Sequence, residues 1–153
     1  MKSLGTPTLP CMCANFRRAA RALTQCYDEA LRPLGLTITQ FTILQALSLA
    51  GEITQGTLGE ILAMDSTTLT RTLAVMHKHG WIAKNYGKDR RERRLRLTLL
   101  GKSEFARAVP HWQRTQETLL RRFGNRRWSD LTKLITDTTS IVTEQGGFNG
   151  AAV

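Results

Sequence analysis

The residues best suited to chemistry form a cationic cluster between positions 84 and 96. Seven basic side chains there oppose only Asp89 and Glu92, so the cluster carries +5, half of the formal net charge of +10. A solvated face ordinarily mixes both signs, whereas this cluster is strongly one-signed and surrounds a glycine-containing loop. A narrow cationic tip suits phosphate binding and entry into the minor groove of DNA. The basic residues are Lys84, Lys88, Arg90, Arg91, Arg93, Arg94 and Arg96.

A second polar set precedes this cluster, in a segment with helical periodicity at residues 66–79. Leu69, Leu73 and Met76 recur at helical spacing and are expected to face a core. Asp65 or Ser66 would cap the start of this helix. The opposite face carries small hydroxyls and cations, which suit base edges and phosphates. We expect it to bind DNA through Ser66, Thr67, Thr68, Arg71 and Lys78.

Thiols are a third candidate group. Cys11 and Cys13 lie two residues apart near the N-terminus, whereas Cys26 is expected to pack inside a helix. The Cys-x-Cys spacing is compatible with a dithiol switch, a metalloid site or inert thiols. Nearby arginines would favour the nucleophilic thiolate of Cys13. These alternatives stay open at the level of the sequence.

Composition limits the remaining classes of function. A chain of 153 residues with a pI near 10.4 is expected to form one domain and to bind a polyanion, nucleic acid before membrane. It shows no signal peptide or membrane-length apolar run, so we expect a cytoplasmic protein with reduced thiols. No arrangement of catalytic carboxylates, triad residues or a phosphate loop occurs. His77 and His79 would point apart on a helix. We therefore expect no enzyme, metal or cofactor.

The elements that must position the two polar sets read as a winged helix. Residues 54–62, a turn at 63–65 and residues 66–79 have the pattern helix, turn, helix. Gly80 ends the second helix, and a β-hairpin follows at once over residues 81–101. Its second strand alternates strictly from Arg94 to Thr98, which is typical of one buried and one solvated face. A helix-turn-helix followed directly by a basic hairpin is a winged helix-turn-helix.

Helices outside this lobe carry more apolar surface than one small core needs. They are predicted at about residues 12–34, from a Thr37 or Thr39 cap to Gly51, from Thr98 past Phe123, and from about Ser129. A second copy would cover the excess. A two-fold dimer would hold two recognition helices about one DNA turn apart, so the target would be a pseudopalindrome. The fold class is mainly α with a small β-hairpin wing, a winged helix-turn-helix plus a helical dimerisation region.

Three motifs give the chain a resemblance to a known family. The wing reads Asp89-x-Arg91-x-x-Arg94, then Leu97-Thr98-x-x-Gly101. Upstream stand Leu36-Thr37-x-x-Gln40-Phe41 and the helix pattern TTLTRTL. Over roughly residues 11–144 the chain resembles the MarR family of bacterial transcription regulators.

The resemblance implies several roles and boundaries. Arg91 would enter the minor groove, oriented by Asp89 and by Arg94, with Lys88 and Arg90 beside it. A third, edge strand of the wing sheet would include Ile53. Residues 36–101 would form the DNA-binding lobe, residues 11–35 and 102–144 the dimerisation region, and residues 1–10 and 145–153 flexible ends of a single domain.

The first helix also resembles the organic-hydroperoxide-sensing branch of that family. The gapless match implies that Cys13 is the sensing thiol, with Cys11 as a possible resolving partner. Tyr27 matches a tyrosine that hydrogen-bonds the thiol. Other tyrosines of that branch are replaced here by Arg17 and Ile38.

These observations predict a DNA-binding transcriptional repressor. It would bind a pseudopalindromic operator as a homodimer and leave it when a small aromatic ligand binds. One alternative is a thiol-based redox or metalloid sensor that acts through Cys13 and Cys11. An alternative of another class is an architectural protein that binds double-stranded DNA without regard to sequence.

Overall fold

The structure of the protein, a computed structural model, describes residues 8–86 and 93–144. Helices dominate it, and one small antiparallel sheet is formed by a strand before the helix-turn-helix and two strands after it. The chain forms two compact units, one ending at Gln113 and the other beginning at Arg114. In chain order the elements are α1 (Met12–Leu31), α2 (Ile38–Ala50), β1 (Ile53–Thr54), α3 (Gln55–Leu62), α4 (Ser66–Lys78), β2 (Ile82–Tyr86), β3 (Arg93–Leu97), α5 (Leu99–Phe123) and α6 (Asn125–Glu144).

The start of α2 is fixed by a capping box. The Thr37 hydroxyl accepts from the backbone N–H of Gln40, and the Gln40 side chain accepts from the Thr37 N–H at 3.0 Å. The Asp28 carboxylate of α1 also accepts from the Ile38 N–H at 2.6 Å. These side chains satisfy backbone donors that a helix start leaves without partners, which ties α2 to the end of α1.

The helix-turn-helix depends on two more caps and an unusual turn residue. Thr54 caps α3 by accepting from the Thr57 N–H at 3.0 Å. The turn bends through Ala63, whose φ of 48° lies in the left-handed region. Asp65 then caps α4. The predicted order of helix, short turn and helix is confirmed.

The sheet has the strand order β1-β3-β2, with both pairs antiparallel. Leu95 of the central strand lies opposite Ile53 of β1 and Lys84 of β2. Leu95 and Leu97 are buried while Arg96 between them is exposed, as the alternation predicts. The hairpin and the edge strand are both confirmed, and so is the winged helix-turn-helix class.

One hydrophobic core in the first unit joins these elements. Phe41 of α2 lies at its centre, with ring centroids 5.4 Å from Phe105 and 5.6 Å from Trp112 of α5. The buried set contains the predicted stripe of α4. It comprises Leu31, Leu36, Phe41, Ile43, Leu44, Leu47, Leu58, Leu69, Leu73, Met76, Trp81, Ile82, Leu95, Leu97 and Ala108.

Three sequence-based expectations are wrong in detail. The first α-helix ends at Leu31 and continues as a 3-10 turn, because Pro33 cannot supply the next helical donor. Helix α6 begins at Asn125 instead of Ser129, because Gly124 alone, at φ 77°, makes the break. Cys26 is exposed, because Leu31 is the one residue that α1 buries.

Two further expectations concern the ends of the chain and membranes. The predicted flexible ends fall mostly on residues 1–7 and 145–153, which lie outside the described ranges. Within those ranges no single helix has both the length and the hydropathy to cross a membrane.

Candidate nucleic-acid interface

Helix α4 presents its polar face to solvent over its whole length. Its buried side chains are Leu69, Leu73 and Met76, and they anchor the opposite face in the core. Since the core fixes the rotation of the helix about its axis, the direction of the polar face is fixed as well. The predicted DNA-binding residues on it are all exposed: Ser66, Thr67, Thr68, Arg71 and Lys78.

The first turn of α4 is held by Asp65. Its carboxylate accepts from the Thr68 N–H at 2.9 Å. Hydrogen bonds from the side chain and the backbone of Thr68 lower the pKa of Asp65, because they favour the charged form. The cap is therefore ionised at neutral pH, and its negative charge stands at the positive end of the helix dipole.

A second interaction ties α4 to the helix before it. The Gln55 side-chain amide, in the first turn of α3, donates to the Thr70 hydroxyl at 2.9 Å. The sequence alone did not indicate Gln55, since its partner lies fifteen residues along the chain. The bond helps to set the angle between the two helices, and so the angle at which α4 would meet a groove.

The base of the wing contains an ion pair that the sequence did not indicate. Arg94 lies 3.8 Å from Glu52, and the Asn85 amide donates to the same carboxylate at 3.5 Å. Glu52, the residue before β1, thus contacts both strands of the hairpin. The wing-tip residues Lys88, Asp89, Arg90 and Arg91 lie outside the described residues, so their roles stay predictions.

The junction between α4 and the wing is closely packed. The His79 ring stacks on Trp81 with centroids 4.5 Å apart. The Thr98 hydroxyl donates to the Gly80 carbonyl at 2.6 Å and accepts from the Gly101 N–H at 3.0 Å. Thr98 therefore caps α5, as predicted, and also fastens it to the start of β2. Within the described ranges no three His, Cys, Asp or Glu side chains cluster as metal ligands.

The candidate thiols lie at the start of α1. Cys11 and Cys13 are both exposed, and Cys11 is the extended residue that precedes the helix, with φ −84° and ψ 119°. Tyr27 is fourteen residues from Cys13 on the same helix, about 21 Å along its axis. Partial burial raises the pKa of Tyr27, and the charge of the adjacent Cys26 adds to the effect. Because about 21 Å separates the two residues, Tyr27 cannot hydrogen-bond Cys13 of the same chain.

A cleft of about 300 Å³ opens beside α4, within the first unit. The first turns of α2 form one wall, and the turn before α4 forms the other. Its lining is mostly apolar and includes no ionisable side chain. The lining residues are Ile38, Thr39, Thr42, Leu62, Met64 and Thr68.

Comparisons with known proteins agree with this architecture. Residues 34–94 match the model of the MarR family. An uncharacterised HTH-type transcriptional regulator of Bacillus subtilis, YwoH, is 28% identical over 108 residues, which are 71% of this chain and 79% of that protein. The M. tuberculosis transcriptional regulator MosR, solved in complex with DNA, is 38% identical with a TM-score of 0.75, over 86% of this chain and 98% of that one. A mutant of E. coli MarR complexed with operator DNA has the same TM-score at 22% identity, over 83% of this chain and 92% of that one.

Proposed function

The chain belongs to the MarR family of winged-helix transcription regulators, and from this premise we propose that it represses transcription by binding a pseudopalindromic operator as a homodimer. The observation that carries the proposal is the exposed face of α4, where hydroxyls and Arg71 lie on a helix whose start is capped and whose back is buried. Residues of this kind read base edges in the major groove. MosR and E. coli MarR, whose structures contain DNA, have the same fold.

The dimer is proposed from apolar surface that the chain leaves uncovered. In residues 114–142 no side chain is buried. Leu134, Ile141 and Val142 of α6 are exposed by 63%, 58% and 62%, and Met12 of α1 by 68%. Apolar surface of this extent favours association, because each buried Å² contributes about 25 cal/mol. A second copy of the chain would cover it, and two-fold symmetry would pair the two α4 helices with two half-sites.

Within the operator, α4 would read the major groove of each half-site, and Arg91 of the wing would enter the adjacent minor groove. Narrow A/T-rich minor grooves concentrate negative potential, which attracts an arginine. The ion pair of Glu52 and Arg94 at the base of the wing would fix the orientation of the hairpin, so that its tip points toward the duplex. Lys78, at the far end of α4, would bind a phosphate.

Release by a small ligand is proposed from the cleft beside α4. Its lining combines apolar side chains with three threonine hydroxyls and lacks a charge, so it suits an uncharged aromatic compound such as a phenol. Thr68 belongs both to this lining and to the predicted DNA-binding face. A ligand that fills the cleft would therefore displace the first turn of α4 and weaken binding to the operator.

A thiol switch is the second candidate for the signal, favoured by the exposure of Cys11 and Cys13 at the start of α1. Oxidation by a hydroperoxide would convert one thiolate to a sulfenic acid, which a second thiol then converts to a disulfide with loss of water. Cys11 is extended and Cys13 is helical, so a bond between them would rearrange the start of α1. A bond between two chains would alter the dimer instead. If Tyr27 contacts Cys13, it would have to do so from the second chain.

One experiment separates the two signals. We expect phenol, but not its carboxylate analogue benzoate, to weaken operator binding by wild type, Cys11→Ser and Cys13→Ser proteins to the same extent. Stoichiometric cumene hydroperoxide should leave the operator affinity of all three proteins unchanged. The measurement is fluorescence anisotropy with labelled operator. In the opposite outcome, the hydroperoxide releases the wild-type protein from the operator, with binding restored by dithiothreitol, while Cys13→Ser stays bound. That result would identify the thiol switch, and not the ligand, as the signal.

The repressor proposal itself is tested on the DNA upstream of the protein's own coding region. A dimer that reads a palindrome should protect two symmetric half-sites there. It should bind this duplex far more tightly than a scrambled one of equal composition.

A further inference from the structure

A second cationic cluster occupies the turn between α5 and α6, far along the chain from the wing. Four arginines occur within seven residues there, and no acidic residue lies between Glu117 and Asp130. All four side chains are exposed in the single chain. We call this cluster the arginine turn; it consists of Arg121, Arg122, Arg126 and Arg127.

Ion pairing does not explain the arginine turn. Among the described residues the turn makes no salt bridge, and Arg121 donates one hydrogen bond to the Thr118 hydroxyl at 3.0 Å. Two exposed arginines elsewhere do lie beside carboxylates: Arg107 is 2.6 Å from Glu104, and Arg32 is 3.5 Å from Glu29. The turn therefore concentrates positive charge that the surrounding chain leaves uncompensated.

Helix stability accounts for Arg121 and Arg122, which lie in the last turn of α5 where the helix dipole favours cations, but not for the other two arginines. Arg126 and Arg127 lie in the first turn of α6, which contains no acidic residue. The positive end of the helix dipole disfavours cations at this position, and the four like charges repel one another. An arrangement that opposes the stability of its own helix is typical of a binding surface.

The turn is also held in a defined shape. The Gly124 N–H donates to the Leu120 carbonyl at 2.8 Å, and the Trp128 N–H donates to the Gly124 carbonyl at 3.0 Å. The Phe123 and Trp128 rings meet edge to face with centroids 5.9 Å apart. The cations therefore project from an ordered turn between two helices.

We propose that the arginine turn is a second DNA-binding surface, which binds phosphates without reading sequence. Guanidinium groups bind phosphate oxygens in a bidentate manner, and all four cations are arginines. The phosphates belong either to the flanks of the operator duplex or to a second duplex. The proposal rests on the proposed function, DNA binding by the protein, in which α4 is the element that recognises the base sequence.

The test compares R126Q/R127Q with the control R32Q/R107Q in the full-length protein. Both variants lose two positive charges per chain, but the control removes arginines that are paired with carboxylates. Affinity is measured against salt concentration on a duplex confined to the operator and on one that extends several turns beyond it. A separate arm measures capture of a labelled duplex by protein already bound to an immobilised operator.

R126Q/R127Q should lower affinity for the extended duplex by roughly tenfold at moderate salt, with the salt slope reduced by about 0.9 for each phosphate that the variant no longer binds. A decrease confined to the capture arm would identify the second duplex as the source of the phosphates. The ratio of operator to random affinity should not change, which separates this result from a failure of α4. The melting temperature should be unchanged or higher. If R126Q/R127Q matches the control in every arm, the turn does not bind DNA, and an acidic protein is the partner to seek.

Discussion

Replacing Gly101 by alanine is expected to leave the protein largely unfolded. A Cβ atom at this position would lie 1.9 Å from the Trp81 carbonyl oxygen and 2.9 Å from its carbon. Both are backbone atoms at the junction of α4, the wing and α5, so no side-chain rotation relieves the clash. Overpacking ordinarily costs about 1–3 kcal/mol. A backbone clash should exceed this range and consume much of a total stability of roughly 5–15 kcal/mol.

The measurement is urea denaturation, followed by far-ultraviolet circular dichroism. Gly56→Ala is the matched control. It lies in α3, where an added Cβ meets only the Thr54 hydroxyl oxygen, at 3.8 Å. Alanine is the better helix former by about 1 kcal/mol, so this control should be neutral or mildly stabilising. A Gly101→Ala protein with the denaturation midpoint of wild type would contradict the close packing of this junction.

Arg71→Ala is expected to produce the largest loss of specificity for a single DNA-binding residue. If its guanidinium binds a base edge, its removal should weaken operator binding by about 1–3 kcal/mol and relax the sequence preference at one position in each half-site. Arg71 is exposed and lies away from the core stripe of α4, so the fold should be unaffected. Affinity is measured for the operator and for duplexes substituted at each position of the half-site.

Lys78→Ala provides the comparison on the same helix. A lysine that binds phosphate should contribute equally to all sequences, so its removal should lower affinity uniformly and reduce the salt slope by about 1. If Arg71→Ala behaves in this way too, with the same decrease on operator and random DNA, then Arg71 binds phosphate and another residue reads the base.

The sequence predicts those parts of the interface that depend on local periodicity. The buried stripe of α4, from Leu69 to Met76, follows from helical spacing, and the burial of Leu95 and Leu97 follows from alternation. The caps are equally local, since Thr98 and Thr37, one of the two caps predicted for α2, each bond a backbone group within three residues. Such features need no knowledge of the rest of the fold.

Interactions between distant elements could not be predicted from the sequence, because no local pattern encodes them. Glu52 and Arg94 are brought together by the pairing of β1 with β3. Gln55 reaches Thr70 only because the turn at Ala63 folds α4 back toward α3. The exposure of Cys26 likewise depends on which face of α1 the core covers.

The central claim is that two α4 helices of one dimer read two half-sites together, and their spacing tests it directly. Inserting about half a helical turn, roughly five base pairs, between the half-sites rotates one of them to the opposite side of the duplex. The dimer should then lose its specific affinity, on the order of a thousandfold, and bind this duplex no better than random DNA. Equal affinity for the original and the lengthened operator would show a sequence-indifferent architectural protein and contradict the account.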